Sequence, residues 1–183
     1  MIFNSQELLN DLVKRIYLNI ERCEKLKNIP LNILNKKESS ESWSTLECIE
    51  HLNLYDQFYI PEITKKIEGS YFTTSTYFKS GWLGNYFALS MLANKKGIRK
   101  IKTFKDKNPA NSKLDITSID NFIIGQKNML KLIEKARKIN LQKTKTNISI
   151  SKIIKLRLGD TLRFVIYHYE RHIIQAEKAS MNN

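Results

Sequence analysis

The chain holds little of what staples, breaks or membrane-embeds a polypeptide. Only two of its 183 residues are cysteine, three are proline and six are glycine. Cys23 and Cys48 lie in helix-like surroundings without CxxC spacing. They supply neither a disulfide framework nor a thiolate metal cluster, and suit small core side chains instead. So little Gly and Pro excludes collagen-like, linker-like and turn-dense all-β designs. No uninterrupted apolar run approaches the ~18 residues of a membrane-spanning helix, so no membrane partner is expected. The opening MIFNSQELLNDL lacks the basic, apolar and small-residue regions of a signal peptide, which leads to a cytoplasmic expectation. Acid is also scarce: 18 Asp+Glu against 31 Lys+Arg give a net charge of +13.

That excess raises nucleic acid or another anionic surface as a partner. The lysines, however, are spread along the whole chain. Twenty-four Ile, 24 Lys and 17 Asn make up 65 of the 183 residues, a chain-wide preference that makes Lys the default surface residue. Only seven residues are Arg, and no helix-turn-helix or RRM signature accompanies the charge. Nucleic acid is therefore not the expected partner.

What the chain does have is helical periodicity. Its length and its 42% hydrophobic content suit one domain, 1–183, with a real core. Four segments repeat apolar residues at i+3/i+4. The first starts at Asn4, with Asn4 and Glu7 spaced as a capping box, and runs through Leu8, Leu12, Ile16 and Cys23. Residues 27–41 read as a loop. The second opens with a capping box, Ser44 to Glu47, and carries Cys48, Leu52, Tyr55, Tyr59 and Ile63 to Gly69, with Pro61 expected to kink or split it. The third starts near Thr117 and the fourth at Asp160. The stretch 144–154, rich in β-branched residues, suits an extended piece. Residues 70–113 are the least periodic. They combine an aromatic run with the basic run KKGIRKIKTFKDK, a short helix around 82–93, and the look of a cover over one end. The expected architecture is all-α, a four-helix bundle with a long connection between its second and third helices.

Only three histidines are present: His51, His168 and His172. His168 and His172 are spaced i, i+4, which stacks their side chains one turn apart on the fourth helix. Their strip lies beside the apolar stripe Leu162, Val165, Tyr169 and Ile173. His51 sits beside Cys48, Leu52 and Tyr55 on the second helix. Two helices can thus bring three imidazoles to one point, the ligand number of a catalytic metal site with open positions. Near them, Glu47 reads first as a helix cap, Asp56 and Glu170 as candidate bases, and Trp43 and Tyr55 as packing residues. No Ser-His-Asp set, phosphate loop or Walker motif occurs.

The segment SWSTLECIEHLNLYDQFY resembles the Trp-Ser-x-x-Glu-x-x-x-His opening of the second helix in DinB-like proteins. The segment KLRLGDTLRFVIYHYERHIIQAEKA resembles their last helix, with its Leu-Gly-Asp lead-in, His-x-x-x-His and following Gln, here Gln175. The resemblance implies an up-down-down-up bundle holding a divalent metal, zinc or nickel, on His51, His168 and His172. Characterised members of that superfamily include metal-dependent thiol S-transferases and a mycothiol-dependent maleylpyruvate isomerase. The implied activity is thiol transfer to a small-molecule electrophile, with a low-molecular-weight thiol as co-substrate. A metal-dependent hydrolase and a non-catalytic metal-binding or stress-related module are the alternatives, and a homodimer is compatible with all three.

Overall fold

A computed structural model describes residues 1–92 and 103–181. The elements are β1 (Ile2–Asn4), α1 (Ser5–Leu26), α2 (Leu31–Leu34), α3 (Thr45–Glu68), β2 (Tyr77–Lys79), α4 (Trp82–Met91), a 3-10 turn (Lys105–Lys107), α5 (Thr117–Ala136), β3 (Lys145–Ile148), β4 (Ser151–Arg157) and α6 (Leu158–Met181). The four long helices are the four periodic segments, and they share one apolar core that includes Leu9, Leu12, Leu52, Ile63, Phe122, Ile133, Leu162 and Ile173. Cys23 and Cys48 are buried and free.

Side-chain pairs fix the helix directions. Arg15–Glu170 and Arg22–Glu177 advance in step, so α1 and α6 run parallel. Lys27 at the end of α1 pairs with Asp120 at the start of α5, whereas Arg137 after α5 meets Gln6 at the start of α1, so these two are antiparallel. Asn53 bonds the Ser118 carbonyl and Glu68 pairs with Lys135, which makes α3 and α5 parallel. The order in the chain is therefore up, down, down, up. Consecutive parallel helices cannot be joined by a tight turn. The connection between α3 and α5 must travel the length of the bundle, which is why it is long.

The caps follow the sequence closely. The Asn4 side chain accepts from the backbone N–H groups of Gln6 and Glu7, and Ser44 and Glu47 close a complete capping box on α3. Pro61 neither splits nor ends α3, which continues to Glu68. Proline removes one donor from the helix ladder, and the buried stripe Tyr55, Tyr59, Ile63 and Ile67 holds the helix together across it. The 144–154 stretch becomes the β3–β4 hairpin, antiparallel from Lys145↔Arg157. Two small features differ from the sequence reading. The 27–41 loop contains α2, which buries Leu34, and β1 pairs with β2 in three residues, too few to show a period of two.

The first part of the long connection covers one end of the bundle, as expected. Phe78 on β2 is fully buried, and α4 packs on the start of α6. The Leu-Gly-Asp lead-in explains that packing. Asp160, fully buried, accepts from the Ser80 hydroxyl, from the Gly81 N–H at 2.8 Å and from Arg163. Gly84 and Gly159 let this junction close, because a Cβ at either would collide with Asp160 or with the Phe78 ring. The helix expected around 82–93 is α4, ending at Met91; the stretch 93–102, with most of the basic run, lies outside the described residues.

Candidate metal centre

The three histidines converge. His51 lies two turns into α3, and His168 and His172 sit at mid-length on the antiparallel α6. Their ring centroids are 5.1, 4.5 and 4.6 Å apart for the pairs 51–168, 51–172 and 168–172. One nitrogen from each ring can be chosen so that all three lie within 4.8 Å of one another. Zinc–nitrogen bonds of roughly 2.0–2.1 Å need nitrogens about 3–4 Å apart. The His51 Nε2 to His168 Nε2 separation, 3.2 Å, meets that requirement.

Hydrogen bonds set the tautomers. His51 Nδ1 lies 2.6 Å from the Lys107 carbonyl oxygen, which can only accept, so Nδ1 carries the proton and Nε2 the lone pair. His172 Nδ1 faces Gln175 Oε1 at 3.0 Å, which leaves its Nε2 as a lone pair too. His51 Nε2 then faces His168 Nε2, and two bare lone pairs at that distance repel. A proton on His168 Nε2 or a shared cation resolves the contact. His168 Nδ1 is buried without a partner. Among the three rings it alone lacks an outer hydrogen bond of the kind that usually orients a metal-binding imidazole.

Electrostatics favour the ligating state. Burial pushes the His51 pKa down to about 4, and it holds His168 and His172 well below the usual histidine value. Their mutual proximity and Arg171 add to that depression. All three are neutral at pH 7, as metal binding requires. The walls are aromatic. Trp43 lies against His51 and His172, Tyr55 against His51 and His168, and Phe164 stacks on His168 at an interplanar angle of 7°. The donor set, its protonation and its spacing fit a borderline divalent ion.

The surrounding residues sort clearly. Gln175 reaches His172, one turn back on its own helix. Glu47 is a cap: its carboxylate closes the capping box, pairs with Lys37 at 2.7 Å and accepts from the Asn111 N–H. Asp56 is not beside the histidines. Five residues beyond His51, it points about 140° around α3, where it accepts from the Tyr169 hydroxyl and abuts Gly125. Burial raises its pKa to about 7, against the lowering effect of that hydroxyl. It lines a separate groove of about 370 Å³ between α3 and α5. Glu170 faces α1, paired with Arg15 at 2.6 Å. Neither carboxylate is placed to act as a base on a ligand of the histidines.

Two contributors went unread in the sequence. Phe164, one turn before His168, was detectable from helical spacing. The Lys107 carbonyl was not, because a backbone oxygen leaves no mark on residue type and its approach depends on the path of the long connection.

No curated protein and no solved structure matches the chain significantly. The DinB superfamily profile does match, over residues 18–176. That span contains all three histidines, the whole of α3 and α5 and most of α6, and the bundle has the helix order the resemblance implied. The chain belongs to the DinB superfamily.

Proposed function

We propose that this protein is a divalent-metal-dependent enzyme that transfers a thiol sulfur to a small electrophile, with His51, His168 and His172 as ligands to zinc or nickel. The observation that supports it most is the set of three neutral imidazoles with one nitrogen from each within 4.8 Å of the others, two of them with Nδ1 engaged by an acceptor. Three protein ligands leave coordination positions for exogenous groups. When bound, such an ion supplies Lewis acidity that keeps a low-molecular-weight thiol ionised at neutral pH.

The chain's own residues position and exclude. The Lys107 carbonyl and Gln175 hold two rings in register, and Trp43, Tyr55 and Phe164 keep bulk water from them. The protein's two thiols are not the nucleophile: burial pushes Cys23 up to about 12 and Cys48 higher still. The sulfur therefore comes from a co-substrate. It forms the new C–S bond, the leaving group departs with the bonding pair, and the thiol proton passes to solvent.

The test is elemental analysis of protein purified without chelator, followed by transfer assays with several small thiols and a chromogenic electrophile. Turnover that disappears on chelation and returns with zinc or nickel supports the reading. Metal-dependent hydrolysis that needs no thiol would replace it with a hydrolase. Bound metal with neither activity would make the protein a metal-binding module.

A further inference from the structure

The end of the bundle where α6 begins has an unusual surface. The ten residues of α4, WLGNYFALSM, include no charge, although 27% of the chain is charged. One face of α4 packs inward through Gly84, Ala88 and Met91. The other presents Trp82, Tyr86 and Leu89, spaced i, i+4, i+7 along one strip and 83%, 59% and 45% exposed. The neighbouring elements add Ile2, Tyr77 and Ile153, all more than half exposed. Charge is segregated there as well. Residues 70–92 and 138–157 carry seven basic residues and no Asp or Glu, in a chain with 18 acids. The carboxylates that touch these segments are engaged, Asp160 by Ser80, Gly81 and Arg163 and Glu62 by the Asn147 N–H, and Glu68 and Glu134 beside them pair with Lys135 and Arg137. The surface is one unit: Arg157 at the end of β4 donates to the Lys79 carbonyl on β2, and Phe87 of α4 shares a small cavity with Ile148, Ile150 and Leu156 of the hairpin.

We infer that α4 is a peripheral docking helix for an anionic lipid surface. Trp82, Tyr86 and Leu89 enter the headgroup boundary, and the basic residues of β2 and the hairpin meet the phosphates. Trp and Tyr suit that boundary because they are apolar bodies with polar tips, and lysines add attraction to anionic lipid. The expectation of no membrane partner rested on the lack of a spanning run. Among the described residues no helix is long and apolar enough to cross a membrane, and interfacial docking requires none.

A second copy fits this face poorly. A twofold contact would set the same basic residues against their own copies with no acid between them. Nucleic acid fits poorly too, since Leu89, Ile2 and Ile153 have no partner on a phosphate backbone and Arg157 is already engaged.

The test uses the full chain with vesicles of phosphatidylcholine alone, or with ~30% phosphatidylglycerol, at low salt. Co-sedimentation with the anionic vesicles only, with a blue shift of tryptophan emission that Trp82→Phe abolishes, supports the inference. The triple variant Trp82→Ser, Tyr86→Ser, Leu89→Ser should partition at least ~10-fold more weakly with an unchanged melting temperature. The pair Lys79→Glu, Lys155→Glu should also weaken partitioning. No binding, or equal binding to neutral vesicles, overturns it. So does anionic binding that the triple variant leaves intact, a dimer that the triple variant dissolves, or duplex DNA binding lost in the same variants without lipid binding.

Discussion

Removing His51 separates its role as a ligand from its role in packing. The side chain is 2% exposed, donates to the Lys107 carbonyl and packs on Trp43 and Tyr55. His51→Ala therefore costs the metal-free fold about 1 kcal/mol for the hydrogen bond and the stranded carbonyl. The cavity and lost ring contacts bring the total to about 3 kcal/mol. For a chain of this size that lowers the melting temperature by about 6–12 °C in chelator. This exceeds what a half-exposed edge position would lose. The metal response is the discriminating quantity. At an ion concentration 100 times the wild-type Kd, linkage adds about 2.7 kcal/mol, a rise of about 5–11 °C. Loss of one ligand in three should weaken affinity by at least the ~10–100-fold that loss of an outer partner costs. At the same concentration the variant then gains about 1.4 kcal/mol if affinity falls ~10-fold and about 0.4 kcal/mol if it falls ~100-fold, a rise of ~3–6 °C or ~1–2 °C. The assay is thermal unfolding of both proteins with excess zinc or nickel and with chelator. An equal rise in both proteins refutes the assignment of His51. Neither Asp56 nor Glu170 stands ready to replace it, because both face other helices.

Other outcomes can be checked on the same material. Gln175→Leu removes the acceptor that fixes the His172 tautomer, so metal affinity should fall ~10–100-fold while the chelator-treated melting temperature barely moves; a calorimetric titration measures it. The histidines, with folded pKa values depressed to about 4 for His51 and well below the usual histidine value for the others, are neutral when the unfolded chain would already be protonated. Their contribution is complete above ~6.5 and is lost as pH falls toward 4, so denaturant melts of the metal-free protein should show stability declining across that window. Asp56 has the opposite sign: raised to about 7, it favours folding below ~4 and disfavours it increasingly as pH rises through 7. Asp56→Asn should thus raise the melting temperature at pH 8 and not at pH 4; an equal effect at both would rule out a buried titrating carboxyl. Gly84→Ala drives a methyl into the Asp160 side chain and should cost about 1–3 kcal/mol by urea denaturation.

The helices and the candidate histidines were legible because each rests on spacing along a single segment. The stripe of α1, the Ser44–Glu47 box and the i, i+4 pair on α6 are local patterns, and tertiary packing kept them. What the sequence hid depends on where distant segments meet. Asp56 lies five residues from His51, yet the helical turn carries it to Gly125 and Tyr169 on two other helices. Sequence proximity suggested a base at the site, and the geometry removed it. Glu170, two residues from His168, turned outward to Arg15 for the same reason. Gly84 and Gly159 gave no sign of their purpose until Asp160 and Phe78 were seen against them.

The parallel course of α3 and α5 links these observations. Because α3 ends where α5 cannot begin, the connection must first cover the lower end of the bundle and then return to the upper one. On the first leg it builds α4 and the uncharged strip around Trp82. On the return it sets the 3-10 turn beside α3, where the Lys107 carbonyl orients His51 and the Lys107 ammonium bonds the Leu54 carbonyl at 3.0 Å. The His168–His172 pair depends on one helix alone and needs no such help. The lone histidine on α3 is the one held by the connection, so under the proposed function the register of the return leg controls the completeness of the centre. Changes in that leg should therefore alter metal affinity before they alter the fold. Lys107→Pro, which fixes φ and disturbs the turn while leaving every histidine in place, should reduce metal binding more than stability. Calorimetric titration alongside thermal unfolding decides this. A variant that loses stability but keeps wild-type affinity would show that His51 is held by α3 and its aromatic neighbours alone.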